Sequence, residues 1–347
     1  MNYADLMKRA ISLAGIHKYT AKPNPVVGAI LVKDDLIISE GAHEQYGMEH
    51  AEVNAINNAK KYIGKTFQSF EELTLLCTLE PCNHSGKTGP CSDAIIKSGI
   101  KRVIIGCKDP NPKVAGTGIK KLIDNDIAVE LGLHEELIKE QNKFFFFKHE
   151  NNRPYITVKI ASSSDGKSHN LDGSSTWITC KESREDVQIV RAMHDSILTG
   201  GNTLVDDNPR MNARVKFAVN QPKKILLTSK KDLDYKNNFF INSDVTVIKE
   251  NNIKKIIKSL NESDICSILV ESGPQLVNSF LLSGLVDELI IYESPNLLGP
   301  DGVSWFKEDN AVEKLGFKLE SSYKIESDSK KIYKNVKRYY YRHHNRY

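Results

Sequence analysis

No stretch of this 347-residue sequence approaches the roughly 18 consecutive uncharged apolar residues of a membrane span, so no membrane partner is expected. The opening residues Met1-Asn2-Tyr3-Ala4-Asp5-Leu6 lack a basic segment leading into an apolar core. No secretory signal is read, and the expected location is cytoplasmic. Cysteine is scarce. Six residues without a signal do not make a disulfide framework, and in a reducing compartment clustered cysteines read first as metal ligands or catalytic groups. Excess charge is small, +4 from 48 basic and 44 acidic residues, and it is local. Lys330, Lys331, Lys334, Lys337, Arg338, Arg342 and Arg346 lie in a final stretch without Asp or Glu; taking those seven from +4 leaves −3. That distribution excludes a nucleic-acid-coating surface. No Gly-x-Gly-x-x-Gly follows a strand pattern, so a Rossmann dinucleotide site is unsupported. With 40% apolar and 27% charged residues, wholly disordered and collagenous chains are excluded.

What is present alternates. At about 150 residues per domain the length suggests two domains. In residues 1–147, Leu6, Ala10, Leu13, Ala14 and His17 recur at helical spacing. A hairpin is predicted over 26–38 with its turn at Lys33-Asp34-Asp35. Helices follow over 50–60, 91–97 and 135–147, and strands over 73–79, 103–105 and 127–131. Residues 148–154 carry no apolar side chain except proline and read as a linker. A second α/β pattern spans 155–347, with strands over 155–161, 196–198, 224–228, 245–248, 265–270 and 286–292 and helices over 182–193 and 276–282. Residues 230–262, rich in Lys and Asn, read as a variable surface segment. The fold class is therefore α/β in both halves.

The chemistry concentrates in His50-Ala51-Glu52, Glu80-Pro81-Cys82 and Pro90-Cys91. His-x-Glu followed by Pro-Cys and a second cysteine marks zinc nucleobase deaminases, although the two cysteines here stand nine positions apart rather than three. One imidazole and two thiolates give Zn2+ three protein ligands and leave a fourth position for water. Glu52 is then a proton shuttle and not a ligand. Pro90 suits a helix start, and a helix N-terminus biases Cys91 towards thiolate. Because residues two apart on a regular helix point away from each other, Glu52 must exploit the first turn. Cys77, Cys107, Cys180 and Cys266 lie in or beside apolar runs and read as core thiols. His17 and His43 read as solvated or core-satisfied.

Residues 1–147 resemble the deaminase domain of the bifunctional riboflavin-biosynthesis deaminase–reductases, the RibD family. The resemblance rests on Pro23-Asn24-Pro25-Val26-Val27-Gly28, His50-Ala51-Glu52-Val53, the run from Thr78-Leu79-Glu80-Pro81-Cys82 to Gly89-Pro90-Cys91, and Asp109-Pro110-Asn111-Pro112-Lys113-Val114-Ala115-Gly116; it continues through residues 155–299. It implies a cytidine-deaminase-like α/β/α domain followed by a dihydrofolate-reductase-like domain. The implied reactions are hydrolytic removal of the 2-amino group from a diaminopyrimidinone carrying a ribosylamino 5′-phosphate, then NADPH-dependent reduction of the ribosyl chain to ribityl. The family pattern carries zinc ligation onto His50, Cys82 and Cys91, the shuttle onto Glu52 and a pyrimidine contact onto Asn24, with loop 83–88 over the substrate. In the second half it carries cofactor contacts onto Ala161, Trp177, Thr203 and the loop Gly273, Pro274, Gln275, Leu276, Val277, Asn278 and Ser279. Substrate contacts fall on Ser175, Arg191, Met211, Arg214 and Glu271. In the cofactor loop the family often has Asp-Asp-Pro where this chain has Asp206-Asp207-Asn208-Pro209; alignment on the proline selects Asp207 as the carboxylate, with Asp206 as fallback.

One expectation comes from the residues alone. Ser229-Lys230-Lys231 follow the apolar run Ile225-Leu226-Leu227 and could hold the phosphate that separates NADPH from NADH. A competing reading keeps the zinc deaminase but gives it a base in RNA, gripped by the basic aromatic tail that includes Lys337-Arg338-Tyr339-Tyr340-Tyr341-Arg342. Its opposite is a last edge strand with a solvated end, which is favoured. The partner expected is a phosphorylated pyrimidine, with no nucleic acid; a homo-oligomer stays open.

Overall fold

The computed structural model describes residues 2–34, 36–84, 89–171, 177–241, 243–306 and 312–336. Ser175, residues 85–88 of the expected substrate loop and the tail beyond residue 336 lie outside the described residues. The chain forms two compact units, Met1–Asn152 and Arg153–Tyr347. No helix among the described residues is long and apolar enough to cross a membrane.

In the first unit the elements are α1 (Tyr3–Gly15), β1 (Gly28–Lys33), β2 (Leu36–Ala42), α2 (Ala51–Ala59), β3 (Thr74–Leu79), α3 (Cys91–Ser98), β4 (Arg102–Cys107), α4 (Thr117–Ile123), β5 (Ala128–Leu131), α5 (Glu135–Gln141) and α6 (Lys143–Asn151). The sheet order is β2-β1-β3-β4-β5, antiparallel on both sides of β1 and parallel from β3 to β5. Strand period two sorts the side chains onto two faces. Leu31, Leu75, Val103 and Ile105 pack with Ala51 and Ala55 of α2, Ile95 of α3 and Leu122 of α4. Ile30, Val32, Leu76 and Ile104 pack instead with Leu6, Met7 and Ala10 of α1, Ile138 and Phe146. The result is a three-layer α/β/α unit. Gly28 permits the closest layer contact, because a Cβ there would overlap the Ala10 carbonyl.

The single helix predicted over 135–147 is two helices. Asn142 breaks the chain with φ −109° and ψ 28°, and its buried amide accepts from Val26 N (2.8 Å) and donates to Val26 O (3.1 Å). A side chain that takes up the backbone of a distant segment outweighs helical continuity. The second helix then runs through 148–151, so most of the stretch read as a linker is helical.

The second unit contains β6 (Tyr155–Ser162), β7 (Lys167–Asn170), α7 (Lys181–Met193), β8 (Ser196–Gly200), α8 (Gly201–Asp207), β9 (Lys223–Leu227), β10 (Val245–Ile248), α9 (Ile253–Asn261), β11 (Ser267–Val270), α10 (Pro274–Leu282), β12 (Glu288–Glu293), β13 (Gly302–Ser304), β14 (Phe317–Ile325) and β15 (Asp328–Asn335). Eight strands form one sheet in the order β10-β9-β8-β11-β6-β12-β15-β14, parallel as far as β12 and antiparallel beyond it. β7 and β13 pair separately.

Three expectations change here. Residues 230–262 are not only surface: Phe239 and, on α9, Ile256, Ile257 and Leu260 are core residues. The apolar stripe of α9 is sparse within a Lys-rich segment, which hid it. The last strand is not an edge, since β15 lies between β12 and β14. Its lysines are paired: Lys330 with Asp186 (2.6 Å), Lys331 with Glu293 (2.8 Å), and Lys334 with Glu288. Finally, Cys77, Cys107 and Cys266 are buried, but Cys180 is half-buried and caps α7, its sulfur accepting from Ser183 N at 3.4 Å.

Candidate functional sites

His50 is the N-cap residue of α2, with extended backbone (φ −80°, ψ 163°). That conformation answers the spacing problem. His50 lies outside the helix, so its ring and the Glu52 side chain of the first turn turn into one pocket. Cys82 follows the end of β3, and Cys91 is the first residue of α3, directly after the N-cap Pro90. The His50, Cys82 and Cys91 donor atoms lie within 4.8 Å of one another. His50 Nδ1 is 3.1 Å from Cys91 Sγ and 3.5 Å from Cys82 Sγ, and Cys91 N donates to Cys82 Sγ at 3.4 Å. Tetrahedral bonds of ~2.0 Å to nitrogen and ~2.3 Å to sulfur put such ligand atoms about 3.5 Å apart. One nitrogen and two sulfurs at these separations fit a zinc ion with one position open.

For the two thiols alone, donation to Cys82 and then burial push the Cys91 thiol up, against the thiolate bias expected from its helix start. The hydrogen bond from the Cys91 thiol, then His50, draws the Cys82 sulfur down to about 4. Glu52 is 3% exposed, and burial raises its carboxyl above the usual range while His50 partly offsets the rise. His43, expected to be solvated or core-satisfied, is buried and edge-on to His50, with ring centroids 5.2 Å apart. Its Nδ1 faces Glu49 O (3.1 Å) and its Nε2 faces Asn24 Nδ2 (3.1 Å). Asn24 is thus oriented by a histidine that borders the zinc ligands. Asn83 of the expected substrate loop is bound internally, its Oδ1 accepting from Lys121 Nζ (2.9 Å) and Ser92 Oγ (3.1 Å).

In the second unit, Gly200 closes β8 and Glu271-Ser272 follow β11, at the carboxyl ends of parallel strands, where open α/β sheets place ligands. Glu271, just past β11, is buried, and its carboxylate accepts from Arg191 Nε (2.7 Å), Arg191 Nη2 (3.0 Å) and Lys159 Nζ (3.2 Å). Burial alone would raise the Glu271 carboxyl; the charges and hydrogen bonds of Arg191 and Lys159 overcome it and hold the group near 2. Arg191 also donates to Asn212 O (3.3 Å) and touches Met211 Sδ (3.7 Å). Arg191, Met211 and Glu271 are therefore one cluster. Arg214 stands beside it, exposed, with its side chain bonded to Asn212 Oδ1 at 3.3 Å.

Thr203 on α8 meets the turn after β11. Its Oγ1 is 3.1 Å from Ser272 Oγ and accepts from Gly273 N at 3.2 Å, and Ser272 Oγ accepts from Gly200 N at 3.1 Å. Gly273, Pro274, Gln275, Leu276, Val277, Asn278 and Ser279 are not a loop. Gly273 is the N-cap of α10 and Pro274 begins it, so the segment presents a helix N-terminus. Asn278 is buried and donates to Trp305 O (2.7 Å). Trp177 is 77% exposed, with the Arg184 guanidinium 4.5 Å from its ring centroid. Ala161, half-buried, pairs with Tyr292 in the β6–β12 register. Asp207 ends α8; partial burial and Asp206 raise its carboxyl, eased by His169 of β7. Asp206 and Asp207 are both exposed at the end of α8. Ser229, Lys230 and Lys231 are exposed beyond β9.

Glu80 and Ser272 were given no role of their own from the sequence, and Lys159 was not singled out. A lysine within the apolar strand Val158-Lys159-Ile160 was the available signal for a buried partner.

Family models match residues 1–107 to the cytidine and deoxycytidylate deaminase zinc-binding region and residues 154–331 to the RibD C-terminal domain. The riboflavin biosynthesis protein RibD of Aquifex aeolicus is 38% identical over 321 residues, covering 86% of this chain and 88% of that protein. The RibD protein of Escherichia coli is 34% identical over 330 residues, covering 85% and 88%. Among solved structures, Acinetobacter baumannii RibD superposes with a TM-score of 0.86 at 34% identity, covering 95% of this chain and 98% of that one. A Thermotoga maritima diaminohydroxyphosphoribosylaminopyrimidine deaminase/5-amino-6-(5-phosphoribosylamino)uracil reductase gives 0.78 at 33% identity, covering 96% and 98%.

Proposed function

The chain belongs to the RibD family of bifunctional riboflavin-biosynthesis enzymes, a zinc deaminase followed by a reductase, and from that premise we propose which of its residues act and on what. The substrate is 2,5-diamino-6-(5-phosphoribosylamino)pyrimidin-4-one. The first unit removes its 2-amino group, and the second reduces the ribosyl chain of the product to ribityl with NADPH. The observation that carries the reading is the convergence of His50, Cys82 and Cys91 with a buried Glu52 in the first unit.

His50, Cys82 and Cys91 hold the ion. Zinc, when bound, supplies the Lewis acidity that makes water nucleophilic near neutral pH. The Glu52 carboxylate would carry the first proton of the attacking water to the ring nitrogen and then the second, from the hydroxyl so added, to the departing amine as the carbonyl forms. Burial suits this role, since a carboxyl lifted towards neutrality both takes and gives a proton. Asn24, oriented by His43, hydrogen-bonds the pyrimidine.

For the second step, NADPH supplies the hydride. The N-terminus of α10 with Thr203 and Ser272 offers amides and hydroxyls to the cofactor phosphates, and Trp177 and Ala161 border its path. Arg214 is the freer cation for the substrate phosphate, because the Arg191 guanidinium is engaged by Glu271. Arg191 and Glu271 together shape the pocket beside Met211, and Asp207 faces the reacting carbon. The cytoplasm suits a metal site built on free thiols. Lys330, Lys331 and Lys334 are engaged within the sheet, and the tail on which the RNA reading rests lies outside the described residues.

The test supplies zinc-loaded protein with the diaminopyrimidine phosphate and NADPH. Ammonia release followed by NADPH oxidation is expected. Glu52→Gln should lower the deamination rate by about 10²–10⁴-fold while zinc content and reduction of the deaminated intermediate stay at wild-type levels. Ammonia release without NADPH oxidation would remove the reductase half; an unimpaired Glu52→Gln would remove the shuttle.

A further inference from the structure

Glu80 stands between the last residue of β3 and the Pro81-Cys82 pair, and only 3% of its surface is exposed. A carboxylate removed from water needs several donors to balance it. Here all four named donors are backbone amides, two from the segment that joins β4 to α4 and two from the first turn of α4. Oε2 accepts from Asp109 N (3.3 Å) and Gly116 N (3.0 Å); Oε1 accepts from Gly118 N (3.1 Å) and Ile119 N (3.2 Å). The Glu80 amide itself donates to Cys107 O at 2.9 Å, which extends the β3–β4 pairing to the brink of the metal ligand.

The contact is closer than hydrogen bonds alone require. Gly118 in the first turn of α4 lies so near the Pro81 carbonyl that a Cβ would overlap it. On the other side of Cys82, Asn83 is bonded to α4 through Lys121 Nζ (2.9 Å) and to α3 through Ser92 Oγ (3.1 Å). Lys121 in turn pairs with Asp93 of α3 at 2.5 Å. Cys82 is thus flanked by two residues tied to α4, and α3 carries the other thiolate.

We infer that Glu80 is a positioning residue for the zinc centre: its buried carboxylate clamps the start of α4 against the Glu80–Pro81–Cys82 turn and so sets the separation between Cys82 and the ligands His50 and Cys91. It touches neither the ion nor the substrate. This rests on the zinc reading above and deepens it. A neutral isostere cannot reproduce the clamp, because the amide end of a glutamine would confront two backbone donors with its own N–H groups. Partners behind a metal ligand are worth about 10–100-fold in metal affinity, and a clamp of four bonds belongs in that range.

The experiment compares wild type, Glu80→Gln and Gly118→Ala as full-length proteins. Zinc affinity is measured by chelator competition, and the cobalt-substituted forms are compared by their visible ligand-field and thiolate charge-transfer bands. Both variants should bind zinc about 10–100-fold more weakly and show shifted, weakened cobalt bands, while reduction of the deaminated intermediate stays at the wild-type rate. A purely structural role would lower the melting temperature and leave the affinity and cobalt bands of the folded protein unchanged; that result overturns the inference. Should Glu80→Gln fail to fold, Gly118→Ala decides, since it pushes on Pro81 without removing the carboxylate: native cobalt bands there refute the clamp. Wild-type protein that binds no zinc would overturn the zinc reading itself, a separate outcome.

Discussion

Replacing Glu271 by Gln tests the second site through its stability as well as its chemistry. The carboxyl is buried and held near 2 against an ordinary value of 4.5. At about 1.4 kcal/mol per pH unit, that difference is worth about 3 kcal/mol of folding free energy at pH 7. A second route gives a similar figure: removing one member of a buried ion pair leaves Arg191 and Lys159 uncompensated, at about 3–5 kcal/mol. The pH dependence has a fixed sign. A carboxyl depressed in the folded state contributes fully above the unfolded value and loses that contribution as pH falls towards the folded value. The gap between wild type and Glu271→Gln should therefore be constant above about pH 5 and close between about 4.5 and 2. Both tryptophans, Trp177 and Trp305, lie in the second unit, so urea unfolding followed by tryptophan fluorescence reports on that unit. A gap below about 1 kcal/mol at pH 7, or one that does not change with pH, would refute the account of Glu271 as an ionised anchor.

Two further outcomes follow from the same geometry. Lys230→Ala/Lys231→Ala, altering the exposed cations beyond β9, should narrow the preference for NADPH over NADH by about tenfold, ~1.4 kcal/mol; KM for the two cofactors measures it, and an unchanged ratio denies those lysines the extra phosphate. Asn142→Ala should destabilise the first unit by about 2–4 kcal/mol, because the buried Val26 amide and carbonyl lose their partners. Zinc release on heating should come at lower temperature while the tryptophan transition of the second unit stays in place; a coincident fall of both transitions contradicts the separate effect.

The legible parts of the sequence were those whose chemistry is local. His50, Glu52, Cys82 and Cys91 announce themselves by residue type and order, and the strand and helix starts around them follow from Pro90 and from apolar periodicity. The sequence left hidden whatever depends on a partner far along the chain. Asn142 reads as an ordinary helix residue until Val26, 116 positions away, is found across from it. Lys330, Lys331 and Lys334 read as a solvated basic end until β15 inserts beside β12, which supplies Glu293 and Glu288, while α7 supplies Asp186. β14 escaped notice because most of its side chains face solvent and its apolar alternation is faint.

Glu80 shows why the division matters for function. Its neighbours Pro81 and Cys82 carry a recognisable motif, yet nothing in the motif says what a glutamate does there. Only the return of the chain through Gly116, Gly118 and Ile119 converts an acidic residue beside a metal ligand into a clamp on that ligand. The same logic applies to Lys159 and Glu271, two residues 112 positions apart that neutralise each other in the second site. In the first site the groups placed to do chemistry could be named from local pattern, in the second only from the family resemblance, and in both the groups that hold them in place are set by tertiary contact. Variants of the holding groups therefore separate the two sites more cleanly than variants of the reacting ones: Glu80→Gln should move metal affinity and spare the reduction, whereas Glu271→Gln should move the stability of the second unit and leave zinc binding in the first unchanged.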